Sequence, residues 1–226
     1  MVLQITNFNK NILKTADNFY ILQGSDSFYY RNMRIIKNNA LYKYFGVTHE
    51  YIDVPNNNTS AGFDKKELFI QDFGDGGSKH DKFERDIRLL SEGIKEEPKN
   101  SRYYFYLANS YHDSGKFDEA INVYKQRITF GGWNEEVWYS YYRIGLCLKN
   151  TNRIDEAISY WLNGYDYYPD RLEGLYEILN CYRMHSRHRI ANMIYQQART
   201  ILDANKERSH HLFLYDDIYT SKIYYE

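Results

Sequence analysis

The segment Ser114-Gly115-Lys116-Phe117-Asp118-Glu119-Ala120-Ile121 returns as Thr151-Asn152-Arg153-Ile154-Asp155-Glu156-Ala157-Ile158, an offset of 37, and Arg189-Ile190-Ala191 echoes it 34 residues further on. A period of this length constrains the fold more than composition does. A unit of that size is one supersecondary motif, which cannot bury its apolar side alone and must stack on its neighbours. Around each repeated alanine the apolar residues follow helical spacing. Tyr104, Leu107, Ala108 and Tyr111 fall at i, i+3, i+4 and i+7, one face of a helix, and after Gly115 a second helix carries Phe117, Ala120, Ile121, Tyr124 and Ile128. Tyr141, Ile144, Gly145 and Leu148 followed by Ile154, Ala157, Ile158 and Trp161 make a second hairpin, which stops before Pro169. Leu175, Ile178, Leu179 and Tyr182 followed by Ile190, Ala191, Ile194, Tyr195 and Ala198 make a third.

The prolines give an independent check, since Pro98 and Pro169 are 71 apart, the sum of the two offsets, and Gly93 and Gly164 keep the same spacing. Asp81–Glu97 is therefore expected as the second helix of an incomplete upstream repeat, with Phe83, Ile87, Leu90 and Ile94 facing the array. The extra residues of the longer interval fall at Gly131-Gly132-Trp133. A 34-residue period is that of tetratricopeptide repeats. The expected fold is mainly α: a tetratricopeptide-like α–α superhelix of about three hairpins plus a capping helix over residues 81–205, followed by a cap or tail at 206–226. Upstream the pattern changes. Asn18–Gln23, Met33–Lys37 and Leu41–Val47 are short, aromatic and β-branched segments that predict strands within residues 1–53, and the polar stretch 54–80 is expected as a linker, with Leu68–Asp72 ordered.

A hydrophobic fraction of 43% allows a packed core, and a net charge of −1 gives no bulk attraction to nucleic acid or to an anionic membrane. No run is long and apolar enough to span a bilayer, and residues 1–20 lack the apolar stretch of a secretory signal, so the expected compartment is the cytoplasm. Cys147 and Cys181 sit at equivalent positions of adjacent repeats, where stacked helices lie about 8–10 Å apart. That is too far for a disulfide, and reduced core thiols are expected.

Four stretches carry a further likeness. Tyr44–Tyr51 (Tyr-Phe-Gly-Val-Thr-His-Glu-Tyr), Asp72–Asp86, Arg102–Ala108 and Gly131–Glu136 resemble family 2 glycosyltransferases fused to tetratricopeptide-like helices. The resemblance implies that residues 1–53 are a remnant of the end of a catalytic domain, with His49 as a metal ligand and Glu50 beside it in the active-site wall. It would bring Lys79, Lys82 and Arg85 to the donor diphosphate, which needs fixed positive charge. The Asp-x-Asp pair that holds Mn²⁺ or Mg²⁺ in such enzymes does not occur here, nor is there room before Asn18 for a nucleotide-binding half. The chain is thus expected to be truncated relative to a complete transferase, to need no cofactor alone, and to use a metal and a nucleotide sugar only with a separate catalytic half.

Two readings of function follow. In one, the helical array positions a peptide or glycan acceptor for a glycosyltransferase; in the other, it is a non-catalytic scaffold for a partner protein. Both place binding on the array. Tyr106, Trp138, Tyr139 and Tyr142 lie on first helices, which line the inner face of such a superhelix, and Arg183, Arg187 and Arg189 form a basic cluster for an acidic partner around the third hairpin turn.

Overall fold

The computed structural model describes residues 1–25, 29–39, 41–73, 81–204 and 213–225, and these divide into two compact units, Met1–Lys82 and Phe83–Glu226. Strand β1 (Val2–Ile5) opens the first unit and a single 3₁₀ turn, Lys10–Lys14, follows it. The central strand is β2 (Asn18–Gly24), paired antiparallel to β3 (Tyr29–Ile36) on one side. On its other side β6 (Ser60–Gly62) and β7 (Leu68–Gln71) run parallel to its two halves, and β1 closes that edge antiparallel to β7. Alternation along β2 sends Phe19 and Ile21 into a core with Ala16, Phe63 and Leu68, where the Phe19 and Phe63 rings stack at 5.4 Å. The carboxylate of Asp17 fastens the sheet's entry. It accepts from the Thr59 N–H at 2.9 Å and hydroxyl at 2.7 Å and pairs with Lys37, and these partners, Lys37 foremost, hold its pKa below the usual carboxylate range.

Two expectations for this unit change. The stretch 54–80, expected as a linker with Leu68–Asp72 ordered, contributes β6 as well as β7 in that ordered part, where the sheet buries Leu68 and Phe69 to 3% and 1% exposure. The third expected strand shrinks to β4 (Lys43–Phe45), which pairs with β5 (Tyr51–Asp53) in a separate hairpin.

In the second unit α1 (Lys82–Glu96) precedes three helical hairpins: α2 (Ser101–Asp113) with α3 (Phe117–Thr129), α4 (Asn134–Asn150) with α5 (Ile154–Tyr167), and α6 (Glu173–Met184) with α7 (His188–Asp203). The repeat is visible in the turns as geometry. Gly115, Asn152 and Ser186 sit at the same place in the three hairpins and share a left-handed backbone, with φ of 78°, 59° and 56°. The N–H groups that follow, those of Lys116, Arg153 and Arg187, reach back to the carbonyls of Tyr111, Leu148 and Tyr182 at 2.9, 2.8 and 2.9 Å. This six-to-one bond satisfies a carbonyl that the helix end leaves open.

Within each hairpin the small residue fixes how closely the helices approach. Ala120 and Ala157 are wholly buried and Ala191 nearly so, as their recurrence predicts. Gly145 does the same on α4. A Cβ there would lie 2.1 Å from Nε1 of Trp161, which crosses that point to donate to the Tyr142 carbonyl at 3.1 Å. Both α1 and α5 end two residues before a proline, and α1 buries Ile87, Leu90 and Gly93 while its Glu84 pairs with Lys116 of the first hairpin at 2.7 Å. Cys147 and Cys181 are buried free thiols, and burial pushes the Cys147 pKa up to about 12.

Candidate functional site: an aromatic face covered by the chain's own end

The first helices of the hairpins, α2, α4 and α6, contribute one continuous face rich in rings. On it Phe105, Tyr139 and Tyr142 lie within ring-contact distance of neighbours, and Trp138 stacks on Tyr142 at 5.7 Å with an interplanar angle of 7°. Arg143 braces the hydroxyl edge of the face: it donates to the phenolic oxygens of Tyr124 and Tyr139, each at 3.2 Å, and pairs with Asp113.

The face is not open. Residues 213–225 cross it from the first hairpin to the third as an irregular stretch, a π-helical turn (Ile218–Lys222) and a last short helix, α8 (Ile223–Tyr225). The Phe213 ring stacks on Tyr139 at 4.3 Å and meets Phe105 at 5.6 Å. Tyr215 lies against Tyr142 at 5.8 Å. Ile218 and Ile223, 3% and 0% exposed, complete the apolar seal.

Beneath this segment lies a buried ionic cluster. Arg171, in the loop between α5 and α6, donates through Nη1 to Glu135 at 2.7 Å and through Nη2 and Nε to the two oxygens of Glu173 at 2.8 and 3.2 Å. Its guanidinium lies 3.6 Å from the centre of the Trp138 ring. Burial alone would lower the Arg171 pKa, but Glu173, with Tyr219 and Glu135, outweighs it and raises the value. The cluster also grips the crossing segment. Arg171 Nη2 donates to the Phe213 carbonyl at 3.1 Å, the Tyr219 hydroxyl donates to Glu173 Oε2 at 2.8 Å, and that hydroxyl accepts from the Leu172 N–H at 3.0 Å. Glu173 Oε1 further receives the Tyr215 N–H at 3.4 Å.

Of the expected partner-binding aromatics, the three on α4 do not form an open groove. Trp138, Tyr139 and Tyr142 are only 2%, 8% and 5% exposed, because residues 213–223 and Arg171 cover them. Burial pushes the hydroxyl pKa values of Tyr139 and Tyr142 far up, so both stay neutral. Tyr106 stays half-buried, with the Arg102 guanidinium 4.7 Å from its ring centre. Arg187 and Arg189 are exposed at the third turn, Arg187 over the Tyr182 ring at 5.2 Å. Arg183 lines a groove of about 360 Å³ with Leu179, Tyr195 and Tyr224.

Of the residues singled out by the glycosyltransferase resemblance, His49 and Glu50 belong to the first unit and Arg85 to the second. His49 and Glu50 are exposed in the connection of the β4–β5 hairpin, His49 with φ of 50°. Among the described residues no three His, Cys, Asp or Glu side chains group to hold a metal ion. Lys79 lies outside the described residues, Lys82 is exposed, and Arg85 pairs with Asp86 at 2.9 Å. The sequence reading missed Arg171, Glu135 and Glu173. Arg171 and Glu173 flank a loop and read first as solvated surface, and no spacing ties them to Glu135, 36 residues earlier on α4.

Tetratricopeptide repeat profiles match residues 89–122 and 139–170, which covers the first hairpin's α2 and its start of α3, and most of the second hairpin. The chain thus carries tetratricopeptide repeats. No curated protein matches it. Among solved structures it is similar to MamA (MSR-1), at 20% identity with a TM-score of 0.46 over 55% of this chain and 70% of that one. A second MamA crystal structure gives 21% and 0.47 over 58% and 75%, and a MamA (RS-1) double mutant gives 11% and 0.48 over 56% and 69%. No helix among the described residues is long and apolar enough to cross a membrane.

Proposed function

We propose that the chain is a protein-interaction scaffold whose helical array binds a polypeptide segment across the face of α2, α4 and α6. One observation carries this reading: that face already holds thirteen residues of polypeptide, 213–225, and it does so partly through their backbone, at the Phe213 carbonyl and the Tyr215 N–H. A surface that grips backbone as well as rings is suited to extended peptide generally. Random-peptide display against the immobilised full-length chain tests it. The scaffold reading expects an enriched consensus that is lost when Tyr142 and Arg143 are replaced by alanine in a chain that keeps its helical circular dichroism. Absence of any consensus, both from the wild-type chain and from one whose residues 213–219 are weakened by substitution, would refute it.

The second reading, a glycosyltransferase portion that positions a peptide or glycan acceptor, rests on the sequence resemblance. The repeat profiles support the array, which both readings share, and support the interaction scaffold better than the transferase. Calorimetric titration of nucleotide sugars with Mn²⁺ separates them. Saturable binding lost on His49→Ala favours a donor site; no heat with any common donor sets that reading aside.

A further inference from the structure

Residues 213–219 occupy the face that the scaffold reading assigns to a partner, and how they are held describes what a partner must look like. Rings at 213 and 215 meet the platform of Phe105, Tyr139 and Tyr142, while Ile218 is sealed beneath the surface. The requirement at 219 is sharper. The Tyr219 hydroxyl satisfies both Glu173, itself 0% exposed, and the Leu172 N–H, so a residue without a hydroxyl there would leave buried polar groups without that partner. The remaining contacts, Arg171 to the Phe213 carbonyl and Glu173 to the Tyr215 N–H, read backbone and accept any side chain.

The occupant is also poorly built to stand alone. It is irregular up to a five-residue π-helical turn, Ile218–Lys222, which a three-residue helix follows, lengths far below what holds a helix in water without tertiary support. Phe213 takes a left-handed backbone, φ 56°, a conformation that strains a bulky residue. Its ring contacts offset that strain only while it lies on the face. Eight residues, 205–212, separate it in sequence from Ala204, the cap residue of α7.

We propose that the α2–α4–α6 face is a recognition site for a peptide of pattern aromatic–x–aromatic–x–x–aliphatic–Tyr, and that residues 213–219 are a built-in occupant that such a partner displaces. This rests on the scaffold reading above and adds to it the partner's pattern and a competitive control. The displacing peptide is a segment of another protein; a second copy of this chain would use the same contacts by exchanging ends.

The test uses the full chain, wild type and Phe213→Ala/Tyr219→Ala, and a fluorescein-labelled synthetic peptide of residues 213–225 followed by anisotropy. The double variant is expected to bind the peptide at least ten-fold more tightly than wild type, and a peptide bearing the same two replacements is expected not to bind. Equal binding to both chains overturns the competitive occupancy while leaving the scaffold reading intact. No binding to a double variant that keeps its helical circular dichroism overturns the recognition pattern, and a display consensus of different pattern then confirms that the scaffold reading survives it. Should the double variant lose helicity, Tyr219→Phe alone serves, with an affinity expected between the two chains and an unchanged one overturning the role of the hydroxyl. Excess peptide on the wild-type chain is further expected to raise hydrogen exchange in residues 213–223 and not in α4 or α6; exchange that stays flat overturns displacement. A concentration-dependent dimer of the wild-type chain, lost in the double variant, would assign the occupant to a second copy and overturn the choice of a separate partner.

Discussion

Replacing Gly145 by alanine pits two physical effects of opposite sign against each other on one helix. Intrinsic propensity favours alanine in a helix interior by about 1 kcal/mol, so at an uncrowded site Gly145→Ala would stabilise α4. Here the new methyl would stand 2.1 Å from Trp161 Nε1 and 2.5 Å from Cδ1 and Cε2, well inside contact distance. The indole cannot swing into solvent, since Trp161 is 1% exposed and packed in the array's core. Displacing it costs about 1–3 kcal/mol of overpacking, and losing its bond to the Tyr142 carbonyl adds about 1 kcal/mol. The clash therefore outweighs propensity by about 1–3 kcal/mol, and at about 2–4 °C per kcal/mol for a unit of this size the melting temperature should fall by roughly 5 °C. Thermal and urea unfolding followed at 222 nm measure it. Trp161→Phe in the same background should recover part of the loss, giving a coupling of about 1 kcal/mol or more. A melting temperature that stays level or rises in Gly145→Ala would refute the argument that this glycine exists to admit the tryptophan.

Other outcomes follow from the same structure. Ser186→Gly should raise stability by about 0.5–1 kcal/mol in urea unfolding, because Ser186 alone of the three equivalent turn residues is neither glycine nor asparagine in its left-handed backbone; a loss would contradict the cap assignment. Arg171→Met should cost about 3–5 kcal/mol, since it strands the carboxylates of Glu135 and Glu173 in the interior; a change under about 1 kcal/mol would mean the cluster is hydrated. At alkaline pH the Cys147 thiol, held up to about 12 by burial, keeps its proton in the folded chain while the unfolded thiol, near 9, has lost it. Its contribution to stability is then whole below pH 9 and lost as pH rises toward 12, and Cys147→Ala should flatten the fall between them by up to about 1.4 kcal/mol per pH unit, read from urea titrations.

The hairpins were legible because their evidence is local. Apolar residues at helical spacing, an alanine in step and a turn residue at a constant offset are each set within one repeat, and Ala120, Ala157, Gly115 and Asn152 all sit where that spacing puts them. Leu68–Gln71 was harder, as a four-residue strand inside polar flanks has too few residues to show a period; only its partners β1 and β2 reveal its role. The covered face was the least legible. Phe213 meets Tyr139, Tyr215 meets Tyr142 and Tyr219 meets Glu173 across separations of dozens of residues, and no spacing within residues 213–225 announces where they go. Helix register puts Tyr139 and Tyr142 on α4, yet exposure depends on what lies over a residue, and register does not report that.

The stacking of Phe213 on Tyr139, with ring centres 4.3 Å apart, is where the array and its occupant meet most closely. Nuclear Overhauser contacts between those two rings in the isotopically labelled full chain test the arrangement directly. Strong ring–ring cross-peaks, accompanied by dispersed shifts for Ile218 and Ile223, are the expected result; their absence, with residues 213–223 at random-coil shifts, would contradict it.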